Sequence, residues 1–306
     1  FSSRRRHTRY EFVTGVQTCA LPICRLVEHL SPAWALWWRS VSDWLIAVLL
    51  GIIEGLTEFL PVSSTGHLIL AGELVGFTDN SSIAFKIAIQ LGAILAVLLV
   101  YWQRFWAVGT GLLKAQPGAI AFTRNILLGF VPALLIGVVA YDAIRAAMQT
   151  PEIVAIALIV GGIIILLLER IVKNVRFHSV EDIPFGTALS IGLIQCTAML
   201  PGVSRSGATI MGGLMMGVER KTAAEFSFFL AVPTMMAATV YALWKDRALL
   251  SADDLDMIAI GFTAAFVVAV IVVKAFVALV GRYGFAPFAY YRIIVGSAAL
   301  LWLAMR

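Results

Sequence analysis

Two short stretches of the chain hold residue types from which a phosphate-handling site can be built. The first reads Glu54-Gly-Leu-Thr-Glu58-Phe-Leu-Pro61-Val-Ser63-Ser64-Thr65-Gly66-His67. Glu54 and Glu58 are four residues apart, so a helix places both carboxylates on one face. Two acids in an apolar helix are costly without a partner. Hard oxygen ligands suit a divalent cation, Mg²⁺ or Ca²⁺, and a shared proton is the alternative. Pro61 ends the helix. Beyond it, the hydroxyls of Ser63, Ser64 and Thr65 and the free N–H groups around Gly66 form a nest suited to phosphate oxygens. His67 can shuttle a proton or act as a nucleophile.

The second stretch reads Pro201-Gly-Val-Ser204-Arg205-Ser206-Gly207-Ala208-Thr209. A lone arginine between two serines, deep in an apolar run, calls for an anion, and its planar fork matches phosphate oxygens at two points. Thr209 lies one helical turn beyond and can add a hydroxyl. Taken singly each signal is weak, because buried Ser and Thr often bond only to their own helix. The competing structural reading of the whole is a Glu58–Arg205 ion pair that pins two packed elements together.

The elements that must carry these residues are membrane helices. The 306 residues are 60% hydrophobic and only 13% charged, whereas a soluble domain carries about 25% charged residues. Several apolar runs approach the ~20 residues needed to cross a hydrocarbon core as helix. The net charge of +5 reads as Lys and Arg at helix ends facing anionic lipid, and no aromatic-interleaved basic patch points to nucleic acid. Cys19, Cys24 and Cys196 have no metal-ligand spacing and imply no disulfide framework.

Spans are expected near 83–102, 125–141 and 152–168, and again near 223–244, 257–280 and 287–305. Each trio follows a broken element, 44–76 or 185–217, that runs into a proline and then a Ser/Gly-rich stretch. Sliding the chain by 141 residues without gaps superposes Gly51, Val62, Ser63, Gly66, Gly72 and Gly76 on Gly192, Val203, Ser204, Gly207, Gly213 and Gly217. Three spans per half is an odd number, so the second half is expected to be inverted relative to the first, which brings the two broken elements face to face. The expected fold is an all-α integral membrane protein: an inverted-topology repeat with six transmembrane helices plus two re-entrant helix hairpins. The domain runs from 25 to 306, with repeats at about 41–180 and 181–306. Residues 1–24 are basic and aperiodic, resemble a translated sequencing-adapter read, and are expected to be a non-native or disordered leader. One set of loops collects Arg104, Lys114, Arg124, Arg170, Lys173, Arg176, Arg220, Lys221 and Arg282, and this richer side is expected to be cytoplasmic.

The two motifs resemble the signatures of the undecaprenyl-diphosphate phosphatase family of the bacitracin-resistance type. The similarity extends from about residue 41 to the end and includes IQLGAILAV at 89–97 and EFSFFLAVP at 225–233. The resemblance implies hydrolysis of a polyprenyl diphosphate carrier to its monophosphate, with a divalent metal, in the bacterial inner membrane at a site opening to the periplasmic side. It assigns the acidic pair to Glu54 and Glu58, the histidine to His67, the motif serine to Ser64 and the arginine to Arg205; Ser204, Ser206 and Thr209 match the rest of the second motif. On this reading Ser64 is the nucleophile with His67 as base, and direct attack by His67 or by water stays open. Ser63, Thr65, Gly66, Ser204, Ser206, Gly207 and Thr209 bind substrate, and Glu54 with Glu58 binds metal. The expected partners are the lipid substrate and the bilayer, with a homodimer left open. The rival class is a transporter or lipid flippase using the same site, because broken helices in repeats are also a transporter architecture.

Overall fold

The computed structural model describes residues 33–77, 81–148, 150–172, 174–245 and 255–305. The leader at 1–24 lies outside them, as does Lys173 of the loop-charge count. Phe1–Ser42 and Asp43–Arg306 form separate units, and the second carries both motifs.

Among the described residues the named elements are helical: α1 (Ala33–Thr57), α2 (Ser64–Val75), α3 (Ser81–Val100), α4 (Trp102–Leu113), α5 (Pro117–Ala147), α6 (Pro151–Ile171), α7 (Phe185–Gln195) with a 3₁₀ turn at Cys196–Met199, α8 (Arg205–Met215), α9 (Arg220–Lys245), α10 (Leu255–Tyr283) and α11 (Ala286–Ala304). The starts follow from sequence: α5 and α6 open on prolines, whose fixed φ and missing N–H suit a first turn. Glu152 in the first turn of α6 and Arg170 in its last complement the helix dipole.

Five helices, α5, α6, α9, α10 and α11, are long and apolar enough to cross a membrane, and α3 with α4, bent by 71°, makes a sixth if they count as one span. Large apolar side chains stand outward on them, including Val139, Ile271, Ile294 and Leu301. α3 packs along α10 and α6 along α11. These crossings are close because glycine lets the backbones meet: a Cβ on Gly92 would lie 2.5 Å from the Phe262 carbonyl oxygen, and one on Gly296 would lie 2.7 Å from that of Ala155. Phenylalanines fill the centre, with Phe59 edge-on to Phe228 at 5.4 Å between ring centroids.

The 141-residue register reappears in backbone geometry. The helix that follows each turn is capped by a serine at positive φ, Ser63 (71°) before α2 and Ser204 (80°) before α8. Each of these helices ends on a left-handed glycine, Gly76 (70°) and Gly217 (86°).

One segment differs from expectation. Residues 102–113, expected within a charge-bearing loop, form α4. Its outward Trp102, Trp106 and Leu113 alternate with polar residues over too few turns to register as a span. α5 is also longer than the expected 125–141: at about 1.5 Å per residue its 31 residues exceed a ~30 Å core.

Candidate active site

The two serine caps set the site's geometry. Ser63 Oγ accepts from Gly66 N at 3.3 Å, and Ser204 Oγ accepts from Gly207 N at 3.1 Å. Holding a non-glycine residue at positive φ costs on the order of 1–3 kcal/mol, and the cap bonds help offset it. The residues immediately after the caps are Ser64 and Arg205, which the register makes equivalent. Ser206 Oγ donates to the Leu60 carbonyl at 2.7 Å, tying the second turn to the first.

Both Ser64 and Arg205 reach Glu58. The Ser64 hydroxyl donates to Glu58 Oε2, and Arg205 Nη2 donates to Glu58 Oε1 at 2.7 Å. Arg205 Nη1 also donates to the Ser227 carbonyl at 2.9 Å and meets its hydroxyl at 3.3 Å. Thr209 Oγ1 lies 2.7 Å from the same hydroxyl, so Thr209 braces the residue that orients the guanidinium. Glu58 and Arg205 thus form the ion pair of the competing structural reading, but with Ser64 on the other carboxylate oxygen.

Glu54 is fully buried one turn before Glu58, and neither of its carboxylate oxygens has a hydrogen-bond partner. Its nearest acidic neighbour is Glu58. An orphaned carboxylate beside a second one fits a hard cation that completes its shell with water and substrate phosphate oxygens, and a shared proton fits it as well. Among the described residues no group of three or more His, Cys, Asp or Glu side chains comes together, so protein ligands alone would not enclose an ion.

The hydrogen bonds of His67 go to Ser63 and Tyr291 and not to Ser64. Its Nδ1 lies 2.8 Å from the Ser63 carbonyl and therefore carries the proton, which leaves Nε2 to accept from the Tyr291 hydroxyl at 2.9 Å. The two rings stack with centroids 5.5 Å apart. Thr65 and Arg205 line a cavity of about 590 Å³ between α2, α3, α5 and α9, whose walls are mostly apolar and which also exposes Lys86, Gln90 and Gln195.

Sequence reasoning passed over Ser227, Tyr291 and Arg292. Arg292, on α11, is 1% exposed. Its guanidinium donates to the carbonyls of Pro61 (3.0 Å) and Val203 (3.0 Å) through Nη1, Gly202 (2.8 Å) and Ala157 (3.1 Å) through Nη2, and Leu158 (3.2 Å) through Nε. That uses every N–H a guanidinium has. Pro61 and Gly202 are equivalent in the register, so one side chain clamps both turns. The available signal was an ionisable residue inside a span, which marks function by default.

This architecture defines the class: a polytopic, all-helical membrane protein whose two broken helix–turn–helix elements meet at a carboxylate–hydroxyl–guanidinium cluster. Residues 47–298 match the family described as bacitracin resistance protein BacA. The chain is 69% identical over 266 residues to an undecaprenyl-diphosphatase of Sphingopyxis alaskensis, covering 87% of this chain and 100% of that protein. It is 58% identical over 262 residues to an undecaprenyl-diphosphatase of Rhizorhabdus wittichii, covering 86% and 98% respectively. It is 51% identical over 264 residues to one of Caulobacter vibrioides, covering 86% and 98%. The chain belongs to the BacA family.

Proposed function

We propose that the protein hydrolyses undecaprenyl diphosphate to undecaprenyl phosphate and inorganic phosphate, recycling the lipid carrier for cell-wall synthesis. The observation that carries this reading is the single carboxylate, Glu58, that accepts from both Ser64 and Arg205. A hydroxyl held by a base beside a guanidinium is what displacement at phosphorus requires.

The distal phosphate docks on the Arg205 guanidinium and the N–H groups that follow Ser63. Ser64 Oγ attacks that phosphorus and its proton passes to Glu58. The bridging P–O bond breaks with its electron pair going to the lipid monophosphate, which takes the proton from Glu58 as it leaves. Glu58 then deprotonates a water that attacks the phosphoserine, and Ser64 recovers its proton as inorganic phosphate departs. Glu54 and Glu58 would hold a divalent cation, which would neutralise charge on the diphosphate. His67, engaged with Ser63 and Tyr291, positions the first turn of α2 and leaves proton transfer to Glu58.

The setting is the bacterial plasma membrane, with the cavity opening to the periplasm. The cavity follows α5 toward Met148 and α9 toward Ala242, away from Arg104, Lys114, Arg124, Arg220 and Lys221, the ends richest in basic residues. Phosphate release from purified protein in detergent tests the reading, because hydrolysis needs no second compartment. Protein that binds the lipid but frees no phosphate contradicts it.

A further inference from the structure

The cavity that Arg205 lines carries a cation the proposed reaction does not use. Lys86 lies in the second turn of α3, is partly buried, and contributes to the same wall as Thr65, Gln90 and Arg205. Its ammonium sits beside α2 at Gly72, 3.7 Å from where a Cβ on that glycine would stand. Gly72 is eight residues along α2 from Ser64, or roughly 12 Å at the helical rise. Lys86 therefore stands about two helical turns along α2 from Ser64.

Two other features bear on Lys86. A lysine near a helix end often snorkels to the interface, but this one lines the cavity wall instead. Glu73 is an acid whose charge acts on it, and Glu73 lines the cavity too. Arg145, a further cation on the wall, has interactions of its own. Arg205 is already balanced by Glu58. Among the described residues of the wall, Lys86, Arg145 and Arg205 stand with one acid, Glu73, along a path that is otherwise mostly apolar. A cleft with a surplus of one sign and low-dielectric walls focuses its field and raises the local concentration of an oppositely charged ligand.

We propose that Lys86 is a capture residue for the anionic head group: it draws a prenyl diphosphate into the cavity and passes it inward, past Gln90 and Thr65, to Arg205. The proposal rests on the phosphatase reading above and adds a residue that acts before chemistry. A residue with that role changes kcat/KM and leaves kcat alone.

Kinetics of Lys86→Gln, Lys86→Glu and Lys86→Arg with farnesyl diphosphate in detergent, at low and high ionic strength, test it. At low ionic strength Lys86→Gln should lower kcat/KM about tenfold, the size of one unit charge acting across roughly 12 Å at an effective dielectric near 20. Lys86→Glu should lose more and Lys86→Arg should stay near wild type. kcat should hold within about twofold, and the gap should narrow as salt screens the charge. Equal kcat/KM for the Gln and Arg variants at low salt overturns the proposal. So does a fall in kcat or in melting temperature, which would place Lys86 in phosphate release or in the fold. If wild type itself releases no phosphate, the phosphatase reading fails separately, and the affinities of the Gln and Arg variants for farnesyl diphosphate still decide the role of Lys86.

Discussion

Ser64 and Arg205 stand 141 residues apart, the offset that superposes the two motifs, and both donate to the carboxylate of Glu58. Each follows a serine held at positive φ, so two matching turns deliver a hydroxyl and a guanidinium to a common acceptor. The matching turns supply the scaffold, and the chemistry comes from the position at which the two motifs differ.

Arg205→Lys keeps a charge beside Glu58 but cannot also hold Ser227 and present a planar fork. Turnover should fall about 10²–10³-fold, as for loss of one positioned donor, with melting close to wild type. Arg205→Ala strands a buried carboxylate and should cost on the order of 3–5 kcal/mol of stability in addition to activity. Phosphate-release kinetics and thermal melts of both variants check this. An active Ala variant removes Arg205 from the site.

Glu54→Gln replaces a buried carboxyl group whose oxygens have no hydrogen-bond partner. If a cation binds that carboxylate, the variant should fold, should need more Mg²⁺ or Ca²⁺ for half-maximal activity, and should turn over slowly. Calcium or magnesium titration of activity is the measurement. An unchanged metal requirement points to a proton shared with Glu58.

Arg292→Lys should be the most destabilising conservative change in the protein. A lysine brings three donors where five carbonyls now accept, and hydrogen bonds to charged groups contribute about 1.5–3 kcal/mol each. Gly161→Ala should mimic it from the other side, because the new methyl would collide with the Arg292 guanidinium. Melting temperatures of both variants should drop together, and a wild-type melt for Arg292→Lys would show that the turns hold without the clamp.

Tyr291→Phe deletes the hydroxyl that His67 Nε2 accepts from. The effects of His67→Asn and Tyr291→Phe on kcat should be non-additive, with a coupling of about 0.5–3 kcal/mol in a double-mutant cycle. Additive losses would mean that each ring acts alone.

Much of this was legible in the sequence because it depends on local chemistry. Ser63, Ser204, Gly76 and Gly217 stand at one fixed offset and adopt matching backbone conformations, since cap and turn geometry is written in nearby residues. What was not legible depends on distant partners. The ring of His67 is held between the nearby Ser63 carbonyl and Tyr291, 224 residues away, and the second partner has no local signal. Arg292 bonds only main-chain carbonyls, which any residue supplies, so its role leaves no motif. α4 stayed hidden because its apolar face is too short to stand out between charged flanks.

The central claim is that Ser64 and Glu58 act as one unit. Purified Ser64→Ala, Glu58→Gln and the double variant, assayed side by side for phosphate release from undecaprenyl diphosphate, test it most directly. Each single change should lower kcat by at least about 10³-fold and the double should be no worse than either, as for nucleophile and base in one machine. A Ser64→Ala variant within about tenfold of wild type, or single losses that multiply in the double variant, would contradict it.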